Sequence, residues 1–79
     1  MVVYFSRHAK RRAKLYDISE SEIEKFVTNL DLKEGEHELI ADFPGFKYPI
    51  KIIISVENNI VTVITNYPLK KGRKNESPL

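Results

Sequence analysis

From His37 onward, apolar and polar positions alternate with a period of two, which is the mark of half-buried strands. Three strands are predicted, over residues 37–43, 48–56 and 60–67. Pro44-Gly45 supplies the pair a type II turn requires, with Pro at its second position and Gly at its third. Asn58-Asn59 fits a two-residue hairpin loop, where both residues take positive φ. With these two loops as tight turns, the register follows. Ile54 pairs with Val63, Ile52 with Thr65 and Ile50 with Tyr67 on one side. On the other, Phe43 pairs with Phe46, Asp42 with Lys47 and Glu38 with Lys51. Ile50, Ile52, Ile54, Val61 and Val63 then share an inner face with Leu39, Ala41, His37, Thr65 and Tyr67. Both ion pairs fall outside, as cross-strand pairing favours.

The N-terminal half has the period of helices. Ser6 caps a helix over residues 7–16, with Ala9, Ala13 and Tyr16 or Leu15 turned inward. Ser19-Glu20-Ser21-Glu22 is a capping box for a second helix, and Ile18 and Ile23 stand at hydrophobic-staple positions. Ile23, Phe26, Val27 and Leu30 form its apolar stripe. Residues 29–35 form a polar connection. Before all of these, Val2–Phe5 is either a short strand or an extended lead-in. The expected fold is α+β, with two N-terminal helices packed on one face of an antiparallel three- or four-stranded β-meander. Residues 1–67 are expected to form one domain, and 68–79 a flexible basic tail.

At 79 residues, such a chain buries one modest core. With no cysteine, disulfides, thiolate metal sites and a Cys nucleophile are excluded, and a reducing interior or a thermophilic host fits. The two histidines lack metal-ligand spacing. No apolar run is long enough to span a membrane and no signal-peptide pattern opens the sequence, so a cytoplasmic location is expected. Net charge is only +2, but its placement is uneven. Residues 7–14 carry five of the thirteen Lys and Arg and no acid, and residues 70–74 carry four more. Clusters of this kind are electrostatic footprints for nucleic acid, or simply solvated basic surfaces.

The first helix also carries candidate chemistry. His8 and Arg12 are four residues apart and share a helical face. An imidazole can move a proton near neutral pH, and a guanidinium can clamp a phosphate. Together they suit RNA cleavage, in which a 2′-hydroxyl loses a proton as it attacks the adjacent phosphorus. The plainer readings are a helix-capping histidine and a surface ion pair from Arg12 to Asp17 or Glu20. On the expected register, Thr65 and Tyr67 stand at the helix–sheet edge, where they would position a phosphate or stack on a base. His37 is the one other proton carrier. Lys10, Arg11 and Lys14, with Lys70, Lys71, Arg73 and Lys74 of the tail, are candidate backbone contacts.

Several short signatures stand in a recognisable order: His8-Ala9-Lys10-Arg11-Arg12, Ile18-Ser19, Gly35-Glu36, Tyr48-Pro49 and Val63-Ile64-Thr65. Over residues 3–67 this set resembles a family of small bacterial and archaeal domains of unknown function with a His-Ala-x-x-Arg helix. That family is similar in layout to the RelE and BrnT toxins of the barnase–EndoU–colicin–RelE group. The resemblance implies a metal-independent endoribonuclease of a toxin–antitoxin type system, needing no cofactor and partnered by a small antitoxin. It matches His8 and Arg12 to the family's His and Arg, and Thr65 to its last-strand Thr. One departure stands out: where the family often has a second Arg followed by Gly, this chain has Tyr16-Asp17, which removes a phosphate contact. The alternatives are a non-catalytic nucleic-acid-binding module or a protein-interaction module, either using the basic helix at 7–14.

Overall fold

The computed structural model describes residues 1–69. Along the chain it has β1 (Val2–Phe5), α1 (Arg7–Leu15), α2 (Glu20–Thr28), β2 (Gly35–Ala41), β3 (Ile50–Glu57) and β4 (Ile60–Pro68). The four strands form one sheet in the order β1-β4-β3-β2. The expected α+β class holds, but the sheet is mixed and not antiparallel throughout. β1 runs parallel to β4, with Val3 opposite Val61 and Phe5 opposite Val63. Both sides of β3 are taken by β2 and β4, so the N-terminal strand joins the free side of β4. The ladder continues one residue past β1, where the Ser6 N–H donates to the Val63 carbonyl at 3.0 Å.

The Asn58-Asn59 loop forms as its residues dictate. The φ angles of Asn58 and Asn59 are 52° and 66°. From this loop the β3–β4 register runs as expected as far as Ile54 opposite Val63. There the ladder breaks. Ile53 pairs with Thr65, which leaves Ile64 as the extra residue of a β-bulge. Beyond it every β4 side chain has changed face relative to the regular register, because a slip of one residue reverses the pleat. Asn66, opposite Ile52, is fully buried. Thr65 and Tyr67, expected on the inner face, instead belong to the opposite face with Ile53 and Lys51.

The Pro44-Gly45 turn also forms, as its sequence requires. Gly45 has a φ of 89°. The Phe46 N–H donates to the Phe43 carbonyl at 3.2 Å. The turn does not close a tight hairpin, however. Residues 42–49 form a longer connection, and Ala41 pairs with Ile50, Leu39 with Ile52 and His37 with Ile54. This displaces the expected register by two residues, which leaves each side chain on its face. Lys51 and Glu38 are therefore diagonal neighbours, still joined at 3.1 Å. The hydrogen bond that the Lys51 ammonium donates to Glu38 holds it above its ordinary pKa, with help from Tyr67. Lys47 does not pair with Asp42; its Nζ lies 5.7 Å from the centre of the Tyr48 ring.

The core joins Ala9 and Ala13 of α1 and Ile23 and Val27 of α2 to Ile50, Ile52, Ile54, Val61 and Val63. Each of the five sheet residues has no exposed surface. Full burial of such a side chain contributes about 1.5–3 kcal/mol. Tyr16 and Phe26 pack at the margin of this core. Leu15, the alternative inward residue of α1, is 69% exposed.

Candidate nucleic-acid interface

Ser6 fixes the start of α1. Its backbone is extended, and its hydroxyl accepts from the Ala9 N–H at 3.0 Å while donating to the Ile64 carbonyl at 2.9 Å. One side chain thus caps the helix and ties it to the bulge. Below, Asn66 Nδ2 donates to the Ala9 carbonyl at 3.2 Å. The small side chains of Ala9 and Ala13 let the helix sit close enough to β4 for this contact. This bond offsets part of the cost of burying an asparagine among isoleucines and valines. Its Oδ1 has no partner among the described residues.

Burial of Ala9 and Ala13 sets the direction of everything else on α1. Arg7, Arg11 and Lys14 are spaced i, i+4, i+7, so they form one stripe, and all three are exposed. Lys10 is exposed as well. His8, Arg12 and Leu15 form a second stripe by the same spacing, with His8 and Arg12 both on it. Arg12 makes neither of the ion pairs its neighbours offer: the one ion pair among the described residues is Lys51–Glu38. His8 makes no side-chain hydrogen bond among them. The helix therefore carries five cations, four of them exposed and Arg12 half-buried, and an exposed imidazole, with no internal counter-charge.

The other expected members of the site do not join this helix. Asn66 faces α1, so the alternation of β4 directs Thr65 and Tyr67 away from it. Both are half-buried. His37 lies on β2, at the far edge of the sheet from β1, with two strands between. Its Nε2 is 2.6 Å from the Lys33 carbonyl. A carbonyl oxygen only accepts, so this nitrogen is the donor. Lys70, Lys71, Arg73 and Lys74 lie outside the described residues. Among the described residues, no three His, Asp or Glu side chains gather as a metal site requires, and no helix is long and apolar enough to cross a membrane.

Two residues of this region do not emerge from the pattern alone. Asn66 reads as an outward polar position until the bulge is known. Arg7 belongs to the basic stretch, but only its spacing from Arg11 and Lys14 on the folded helix makes it part of a stripe. A signal for the first exists: Val63-Ile64 puts two apolar residues side by side where period two allows one.

An α+β domain with a mixed four-stranded sheet and a cationic, close-packed first helix is the class these features define. No family model matches the chain, and no similar protein was found among curated sequences or solved structures.

Proposed function

We propose that the chain is an RNA-binding domain that meets the phosphate backbone with α1. In this reading both helices cover one face of the sheet, and α1 turns its charged side outward. The observation that carries it is the cationic stripe Arg7–Arg11–Lys14, exposed and free of ion pairs with described residues. Uncompensated cations at helical spacing supply sequence-independent, salt-sensitive affinity for a polyanion. The interior of a cell, where RNA is abundant and thiols stay reduced, is the setting this reading assumes. The test is fluorescence anisotropy with a labelled single-stranded RNA in low-salt buffer. Replacing Arg7, Arg11 and Lys14 together by Gln is expected to weaken binding at least tenfold. Undetectable binding by wild type, or equal binding by the triple variant, would overturn the proposal.

A second reading is the toxin-like, metal-independent endoribonuclease implied by the resemblance to RelE and BrnT, with a small antitoxin as partner. The His8–Arg12 stripe favours it. It now rests on these two residues alone, since Thr65 and Tyr67 belong to the opposite face of the sheet. His8 would act as base on the 2′-hydroxyl and Arg12 would stabilise the charge on the phosphate. Cleavage would then persist in EDTA, leave a cyclic phosphate and vanish in His8→Ala while binding persists. Equal product from wild type and His8→Ala would remove this reading and leave the first intact.

A further inference from the structure

Past the C-terminal end of α1, the molecule has an aromatic-walled cleft of about 520 Å³ between the α1–α2 junction and the β2–β3 connection, with no cation in its lining. Its near wall is Tyr16, with Asp17, Ser19 and Glu22 around it; Phe43 and Phe46 form the far wall. We propose that this cleft receives the guanidinium of an arginine side chain presented by a peptide segment of a partner protein. This inference is independent of the RNA-binding reading.

Each wall is held in place by the fold. The end of α1 is a Schellman turn. The Ile18 N–H donates to the Ala13 carbonyl at 2.8 Å and the Asp17 N–H to the Lys14 carbonyl at 3.3 Å. Opposite, the Pro44-Gly45 turn sets Phe43 and Phe46 three residues apart on one support, closed by their 3.2 Å backbone bond. Phe43 is braced from behind by Phe26, with ring centres 5.9 Å apart and an interplanar angle of 86°. This edge-to-face arrangement is one that aromatic pairs favour. The aromatic surfaces are thus set before any ligand arrives.

The carboxylates are uncommitted. Ser19 accepts from the Glu22 N–H at 3.2 Å, which is half of a capping box. In the other half Glu22 would accept from the Ser19 N–H, and that bond is not made. Glu22 lines the cleft instead. Neither Asp17 nor Glu22 forms an ion pair with a described residue. Two free carboxylates beside three aromatic rings call for a cation that also stacks. A guanidinium meets both demands, because it is planar, weakly hydrated and able to bind carboxylate through two parallel N–H groups. An ammonium is compact and strongly hydrated, and gains less from the rings. The cleft is within the usual size of ligand sites and exceeds a guanidinium, which leaves room for the peptide flanking it.

The test is an NMR titration of the full chain with the pentapeptide Gly-Gly-Arg-Gly-Gly, its lysine counterpart, and N-acetyl-arginine amide. Arginine peptide is expected to shift signals of residues 16–22 and 43–46, with the lysine peptide and the amino-acid amide each at least fivefold weaker. Asp17→Gly is the sharpest variant. Asp17 sits at a φ of 58°. Glycine adopts that conformation without strain, so the substitution should raise the melting temperature while lowering affinity at least fivefold. Glu22→Gln should lower affinity equally with the fold retained. The proposal is overturned by absent or scattered shifts, by an equal response to lysine, or by affinity unchanged in Asp17→Gly or Glu22→Gln. Equal affinity for the amide would make the ligand a free small cation and overturn the peptide assignment. Shifts at these residues on concentrating the protein alone would point to a second copy, with the same consequence.

Discussion

The two helices have the same length and opposite characters. Each is nine residues long, each is capped by a serine, and each buries two side chains at i, i+4. In α2 these are Ile23 and Val27, so bulk anchors the helix; in α1 they are Ala9 and Ala13, so closeness does. The charges differ more. α2 places Glu20 and Glu22 in its first turn and Lys25 in its last, an arrangement that complements its own dipole. α1 has no acid in its first turn, where Arg7 opposes the dipole, and it stacks like charges at Arg7/Arg11 and Lys10/Lys14. α2's charges stabilise α2. In α1, Arg12 and Lys14 suit the last turn, but Arg7 and the like-charge pairs work against the helix that carries them, which is the pattern expected of charge kept for a partner.

The largest test of this contrast lies in the core. Ile23→Ala should cost about 2–5 kcal/mol, as emptying a buried site does. In α1 the costly change is enlargement. Ala9→Leu should cost about 1–3 kcal/mol by overpacking the helix against β4. It would also break the hydrogen bond from Asn66. Urea denaturation measures both variants, and a neutral Ala9→Leu would show that closeness is not what anchors α1.

The caps come next. The Ser19 cap is a single exposed bond. Ser19→Ala should cost roughly 0.5–1 kcal/mol. Ser6→Ala removes a cap and also leaves the Ile64 carbonyl without its donor. Its expected cost is therefore larger, about 2 kcal/mol. Equal losses in the two variants would mean that the tie to the bulge contributes nothing.

Smallest in stability but most telling is a charge reversal. Arg7→Glu should stabilise the fold by roughly 0.3–1 kcal/mol, because an acid suits a helix N-terminus. The same variant should bind single-stranded RNA more weakly. Destabilisation by Arg7→Glu would remove the claim that α1's charge is held against its own interest.

Much of this architecture is legible in the sequence, and the exceptions have one cause. Both caps, the Asn58-Asn59 loop, the Pro44-Gly45 turn and the buried isoleucine row follow from local chemistry. What does not follow depends on contacts distant in sequence. The bulge is held by Ser6, 58 residues before Ile64. Asn66 is stabilised inside by Ala9, 57 residues before it. The parallel placement of β1 has no local signal at all. The candidate site combines α1 with the end of β4, so one extra residue in the strand is enough to divide it. Helical spacing puts His8 and Arg12 on one stripe, while the regular register puts Thr65 and Tyr67 on the wrong face.

The central claim is that α1's cations are the ones that meet phosphate. The most direct measurement is the slope of log affinity against log salt for a single-stranded RNA, compared between the wild type and the Arg7, Arg11, Lys14 triple Gln variant. Each lost phosphate contact removes about 0.7 from the slope for single strands, so a fall of about 2 is expected. Neutralising Lys25, Lys33 and Lys47, which lie off α1, should leave the slope unchanged. An unchanged slope in the α1 variant, or an equal fall in the second set, would contradict the account.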